Sequence, residues 1–124
     1  MLADNIIRSC PEPTEWTHNM VVALKKSGDT RMCLDSRPLN KWTIRSRHHT
    51  ASFKDVLRSL NGAHFFSSLD AKICYWTVKL HKESQPLTAF NTPFGKFCFL
   101  RLAFGLNTAA EVFQEKIDSA MDGI

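Results

Sequence analysis

Phe65-Phe66-Ser67-Ser68-Leu69-Asp70 is an apolar run closed by a carboxylate, and Tyr75-Trp76-Thr77-Val78-Lys79-Leu80 follows after four intervening residues. Both runs read as strands, so Asp70 stands at a strand end with an aromatic ring five positions on. That pair suits gripping a metal-bound polyphosphate over a sugar. A single aspartate after a strand is more often a turn residue, and a single tyrosine more often a core aromatic, so the surrounding chain has to decide.

Working outward, Met20-Val21-Val22-Ala23-Leu24 and Arg31-Met32-Cys33-Leu34 flank Ser27-Gly28-Asp29-Thr30 and predict a hairpin. Lys25, Lys26 and Arg31 would crowd its tip, where lysine acts as a point charge and arginine as a fork for phosphate. A solvated basic hairpin end is the plainer reading of those three cations. Ser52 with Asp55 predicts a capping box, Phe53, Val56, Leu57 and Leu60 a core-facing stripe, and Asn61-Gly62 the stop of that helix. Thr108 with Glu111 predicts a second capping box, followed by the stripe Val112, Phe113, Ile117, Ala120 and Met121, ending at Gly123. Strands are expected near 64–70, 75–80 and 87–91, and near 96–102 after a turn at Thr92-Pro93-Phe94-Gly95. Residues 1–18, with Pro11 and Pro13, read as a flexible lead-in, and residues 41–51, with Arg45, Arg47, His48 and His49, as a basic loop. The order is an α+β layout with mostly antiparallel pairing and two packed helices.

The 124 residues suffice for one small core, and 44% hydrophobic with 23% charged residues is ordinary for a globular chain. The net charge of +4 permits a nucleic acid partner without demanding one. No apolar run is as long as a membrane span and no signal peptide is visible, which predicts an intracellular protein without a membrane partner. Cys10, Cys33, Cys74 and Cys98 form no CxxC pair and read as free thiols rather than zinc ligands. Asp35 and Asp55 are the other carboxylates that could join Asp70, but a polar turn explains Asp35 and a helix cap explains Asp55.

Four strings in order carry a resemblance: MVVALKKSGDTRMCLDSRPLNK at 20–41, DVLRSLNGAHFFSSLDA at 55–71, YWTVKLHKESQPLTAFNTPFGKFCFLRLAFGL at 75–106 and AAEVFQEKID at 109–118. From Glu15 onward the chain resembles the reverse transcriptase of gypsy-type LTR retrotransposons and, more distantly, that of retroviruses. The resemblance implies fingers and a partial palm of a right-hand polymerase, with 19–61 and 83–103 as fingers and connection and 62–82 and 104–124 as palm. It also implies RNA-directed DNA synthesis on an RNA or DNA template-primer from deoxynucleotides, with two magnesium ions.

Residue by residue, the resemblance makes Asp70 the first catalytic aspartate and, with the backbone of Ala71, a metal ligand. Tyr75 becomes the steric gate under the sugar. Lys26, with Lys25 as the alternative, and Arg31 become the triphosphate grip. Phe104 would line the nucleotide pocket, while Gly105 and Arg37 would lie along the template.

The chain departs from the family at Cys74, where glycine is usual, at Ala103 and Ala110, where proline is usual, and at 48–52, which replaces a proline-rich stretch. Cys74 is expected to crowd a backbone built for glycine. The family's second catalytic string, YxDD, lies beyond Ile124. The expectation is therefore a fragment of the polymerase, inactive alone and prone to self-association through an exposed palm edge. The alternatives are a nucleic-acid-binding remnant, supported by the basic loop, and a protein-interaction remnant.

Overall fold

The computed structural model describes residues 1–123. Strands β2 (Asn19–Leu24) and β3 (Thr30–Asp35) form the expected hairpin, in register from Asn19 opposite Asp35 to Leu24 opposite Thr30. Its turn closes by Lys25 N–H donating to the Asp29 carbonyl at 2.7 Å, with Gly28 at φ +88°. Glycine adopts that conformation without steric penalty, so the local sequence suffices to place the tip.

Strands β4 (Phe90–Thr92) and β5 (Gly95–Phe99) form the second hairpin. Thr92 Oγ1 ties its turn by donating to the Gly95 carbonyl at 2.8 Å and accepting from Phe94 N–H at 3.1 Å. A third strand, β1 (Ile7–Ser9), pairs antiparallel with the other edge of β5, giving the order β1-β5-β4. This corrects the reading of residues 1–18 as a flexible lead-in. Ile6 and Cys10 are buried, Leu100 N–H donates to the Ile6 carbonyl at 2.8 Å, and His18 N–H donates to the Ala89 carbonyl at 2.8 Å. Backbone groups of β5 that would otherwise be open are thereby satisfied from the N-terminal segment. Arg8 also reaches Glu12 at 2.8 Å, and the Glu12 carboxyl is held down to about 2, first by its own backbone N–H and then by Arg8.

The core gathers Ile6, Leu34, Phe90, Phe99 and Ala103, with Met20, Trp76, Leu80, Phe97 and Leu106 packed against it. The Phe90 and Phe99 rings lie 5.3 Å apart and are almost fully buried. Each contributes roughly 1.5–3 kcal/mol by leaving water.

Elsewhere the expected elements change form. Residues 64–70 form no strand, and Phe65 and Leu69 are 95% and 84% exposed. Among the described residues no neighbouring strand satisfies their backbone, and an unpaired run is not a β-strand however apolar its text. The run at 75–80 begins as a 3₁₀ turn, Cys74–Thr77, and only then extends. Leu80 N–H donates to the Leu100 carbonyl and Leu102 N–H to the Val78 carbonyl, both at 2.9 Å. Two further 3₁₀ turns, Lys82–Ser84 and Pro86–Thr88, delay the strand expected near 87–91 until Phe90.

Helix α1 (Arg37–Asn40) is a single turn started by Pro38. Helix α2 (Phe53–Ser59) carries the expected box: Asp55 N–H donates to Ser52 Oγ at 3.3 Å and Ser52 N–H to Asp55 Oδ2 at 3.2 Å. Its apolar stripe is exposed rather than core-facing, with Phe53 76% and Leu57 52% accessible. Helix α3 (Ala109–Met121) does pack, through Ala109 and through Phe113 against Tyr75. The second capping box is absent: Thr108 makes no side-chain cap, and Glu111 accepts from Arg45 at 2.5 Å instead. Thr108 already sits at φ −90° and ψ −8°, not in the extended conformation of a capping residue.

Candidate functional site

The hairpin tip and the Asp70 turn face each other over one cleft of about 680 Å³. Lys25 and Arg31 line it from the hairpin, Asp70 and Ala71 from the irregular segment before the Cys74–Thr77 turn, and Phe104 from the segment before α3. These groups are far apart in sequence, and the tertiary fold brings them together. The size falls within the ordinary range for small-molecule sites.

Arg31 is the most firmly positioned cation. Its guanidinium lies 5.5 Å from the centroid of the Phe104 ring, a cation–π contact that holds the head group while leaving N–H donors free. Phe104 is fixed in turn by the Tyr75 ring at 4.8 Å, by the edge of Trp76 at 5.9 Å, and by its carbonyl, which accepts from Leu34 N–H at 2.7 Å. Lys26 does not line this cleft. It lines a shallower adjoining one with Ala23, Leu24, Lys25 and Arg31, so Lys25 is the hairpin lysine that shares the cleft with Asp70. Hydropathy could not separate these neighbours, because a two-residue alternation depends on where the turn begins.

Tyr75 is half-buried between Phe104 and Phe113, with centroids at 4.8 and 5.4 Å, and is not among the cleft-lining residues. Cys74 and Trp76 line the cleft on either side of it. Ala71 gives its carbonyl to Cys74 N–H at 3.3 Å, which closes the turn after Asp70. Gly105 lies against β3, its carbonyl accepting from Ser36 Oγ at 2.7 Å and Asn40 Nδ2 at 3.0 Å. Arg37 forks onto Asp35 with bonds of 2.8 and 2.7 Å beside a second concavity, and this pairing lowers the Asp35 carboxyl below the usual range. Asp35 is thus committed to Arg37, and Asp55 to Ser52, and neither joins Asp70.

The 41–51 loop is less free than its charges suggest. Arg45 pairs with Glu111, and His48 Nε2 lies 2.7 Å from Asp118, whose carboxyl is lowered chiefly by that hydrogen bond. Arg45 and His48 of the loop are therefore both engaged with α3.

The expectation for Cys74 is met in the backbone. Ile73 and Cys74 have φ of +68° and +43°, two consecutive left-handed residues that are not glycine. Such a conformation costs an L-residue roughly 1–2 kcal/mol. Cys74→Gly relieves that strain but adds unfolded-state entropy, so a net stabilisation of about 0.5–1 kcal/mol is expected. Urea denaturation checks it. A loss of stability would mean that the half-buried thiol packs well enough to outweigh the strain.

The donor set does not make a magnesium site by itself. Asp70 is one carboxylate beside Lys25 and Arg31, and the described residues contain no cluster of three or more His, Cys, Asp or Glu side chains able to hold an ion. Two-metal chemistry needs several carboxylates around the ions, and Asp70 supplies one.

Prototype foamy virus protease-reverse transcriptase has a similar fold: the native structure aligns with TM-score 0.79 and 23% identity, covering 99% of this chain and 16% of that one. A foamy viral protease-reverse transcriptase in complex with double-stranded DNA aligns with TM-score 0.80 and 17% identity, over 98% of this chain and 21% of that one.

A family model described as reverse transcriptase (RNA-dependent DNA polymerase) matches residues 23–124, and the chain belongs to that family. It is 37% identical over 101 residues to the enzymatic polyprotein of figwort mosaic virus (strain DxS), covering 82% of this chain and 15% of that protein. It is 34% identical over 127 residues to the retrovirus-related Pol polyprotein from transposon gypsy of Drosophila melanogaster, covering 98% of this chain and 12% of that protein. The chain thus spans a small part of the length of the curated relatives it matches. No helix among the described residues is long and apolar enough to cross a membrane.

Proposed function

We propose that this chain is the nucleotide-gripping part of an RNA-directed DNA polymerase. Lys25 and Arg31 hold the triphosphate, Lys26 lies at the margin of that grip, and Asp70 with the Ala71 backbone stands where the reacting phosphate arrives. Tyr75 backs the sugar side through its contact with Phe104, while Gly105 and Arg37 lie toward the template strand. The observation that carries this reading is the single cleft shared by Lys25, Arg31, Asp70, Ala71 and Phe104. In the intact polymerase, nucleotidyl transfer to a primer 3′-hydroxyl with magnesium requires further carboxylates beside Asp70. Four free cysteines, Cys10 and Cys98 among them buried, support an intracellular setting.

Binding tests the reading directly. The 124-residue chain is expected to bind deoxynucleotide and nucleic acid weakly, without sequence preference, and with strong salt dependence. Lys25→Ala/Arg31→Ala should lower affinity at least about tenfold and flatten the salt slope, since each lost charge-assisted contact is worth roughly 1.5–3 kcal/mol before solvent screening. Lys26→Ala should do less. Asp70→Ala should change metal-free binding little, because a carboxylate repels phosphate until a cation bridges them. Parent-like affinity of the Lys25/Arg31 variant at low salt would remove the grip and leave the resemblance as ancestry.

A second reading has its own support. Phe53, Leu57, Phe65, Phe66 and Leu69 are all exposed on α2 and the run leading to Asp70. Apolar surface of that kind favours association. The chain is therefore expected to grow in size with concentration in analytical ultracentrifugation, and Phe65→Ser/Leu69→Ser to shift it toward monomer. A monomer across the accessible range would dismiss this reading.

A further inference from the structure

We propose that Lys72 is a third polyphosphate-binding cation, acting from the Asp70 wall of the cleft opposite the hairpin; this rests on the nucleotide-grip reading and extends it. Lys72 lines the same cleft as Lys25, Arg31 and Asp70. It is exposed and, among the described residues, makes no ion pair, although Asp70 is only two positions away. Arg37 and Arg45, by contrast, are paired with the carboxylates that the fold brings near them. An ammonium left unpaired beside a carboxylate in a concave site is a charge available to a ligand.

The distribution of charge identifies the ligand class. Two cations on the hairpin wall and one on the opposite wall exceed the single carboxylate of Asp70. A monophosphate can touch one wall at a time. A polyphosphate spreads its charge along a chain and can meet both. Lys72 also lowers the cost of bringing phosphate near Asp70, because its positive charge offsets the repulsion from that carboxylate. The grip then operates from two walls before any metal is present.

The experiment is calorimetric titration of the 124-residue chain at low salt in chelator, with tripolyphosphate, a deoxynucleoside triphosphate and orthophosphate as probes. Lys72→Ala is expected to weaken tripolyphosphate and triphosphate binding about 5–10-fold. It should also reduce the salt slope by about one unit and leave orthophosphate nearly unchanged. Lys72→Arg should restore most of the affinity and the slope, and Lys54→Ala on α2, outside the cleft, should match the parent. If Lys72→Ala binds like the parent while Lys25→Ala/Arg31→Ala does not, Lys72 is a solvated lysine and only this inference fails. Equal weakening by Lys72→Ala and Lys54→Ala would likewise overturn it, by reducing the effect to net charge. If the parent itself does not bind tripolyphosphate, or no cleft variant alters binding, the nucleotide-grip reading fails and Lys72 falls with it.

Discussion

Gly105→Ala is expected to cost about 3–5 kcal/mol, enough to leave a chain of this size largely unfolded. Gly105 has φ +113°, outside the conformations an L-residue readily adopts, and a Cβ there would lie 1.9 Å from the Leu34 carbonyl oxygen. That oxygen belongs to the backbone of β3 and cannot rotate away. The close approach is also fixed from both sides, by the Leu34–Phe104 backbone bond and by Ser36 and Asn40 on the Gly105 carbonyl. Accommodating one methyl group would therefore pull the 104–107 segment off β3 and release Phe104 from beneath Arg31. Gly28→Ala is the control. Its φ is +88° but no atom lies within 4 Å of the added methyl, so only the conformational cost of about 1–2 kcal/mol applies. Circular dichroism with urea denaturation separates the two, and a Gly105→Ala variant as stable as Gly28→Ala would show that β3 and the 104–107 segment are not locked.

No primer extension is expected from the 124-residue polypeptide with template, primer, deoxynucleotides and magnesium. Among the described residues Asp70 is the only carboxylate lining the cleft, and Asp35 and Asp55 are committed elsewhere, to Arg37 and Ser52. One carboxylate can bridge two ions but cannot by itself complete their coordination, so the transition-state charge would go largely unstabilised. Gel-resolved incorporation of a labelled nucleotide checks the expectation. Product above background that disappears in Asp70→Asn would overturn it, and would mean that the required ligands come from groups not now near Asp70. The same polypeptide should still bind nucleotide, since the grip and the missing ligands are separate groups.

Several features were legible in the sequence because their causes lie within a few residues. Ser27–Thr30 and Thr92–Gly95 turn where turn chemistry predicts, and Gly28 takes the positive φ that the first of these needs. Ser52 and Asp55 cap each other across three positions, and Gly62, at φ +83°, follows the end of α2. The 20–24 and 31–34 runs pair because the turn between them sets their register. The ordered strings likewise carried the family, since they record which residues stand at which spacing. Cys74 is the subtler case: its departure from the family's glycine foretold a strained backbone, and its φ is +43°.

Only the tertiary structure decided the features that depend on distant partners. Nothing within residues 1–18 announces that β5 will take Ile7–Ser9 as a neighbour; open backbone groups on β5 do that. The same accounting leaves 64–70 without a strand, because an apolar run needs a hydrogen-bonding partner that the described residues do not supply. Glu111 reads locally as a cap and instead accepts from Arg45, sixty-six positions away. That Lys25 and Lys72, but not Lys26, line the cleft with Asp70 follows from how the hairpin sits against the Asp70 turn. Sequence by itself thus determined the family, the turns and the helix cap, where cause and effect are neighbours. The three-dimensional fold determined the edges, the ion pairs and the composition of the cleft, because burial and hydrogen bonding are satisfied between segments that the linear order keeps apart.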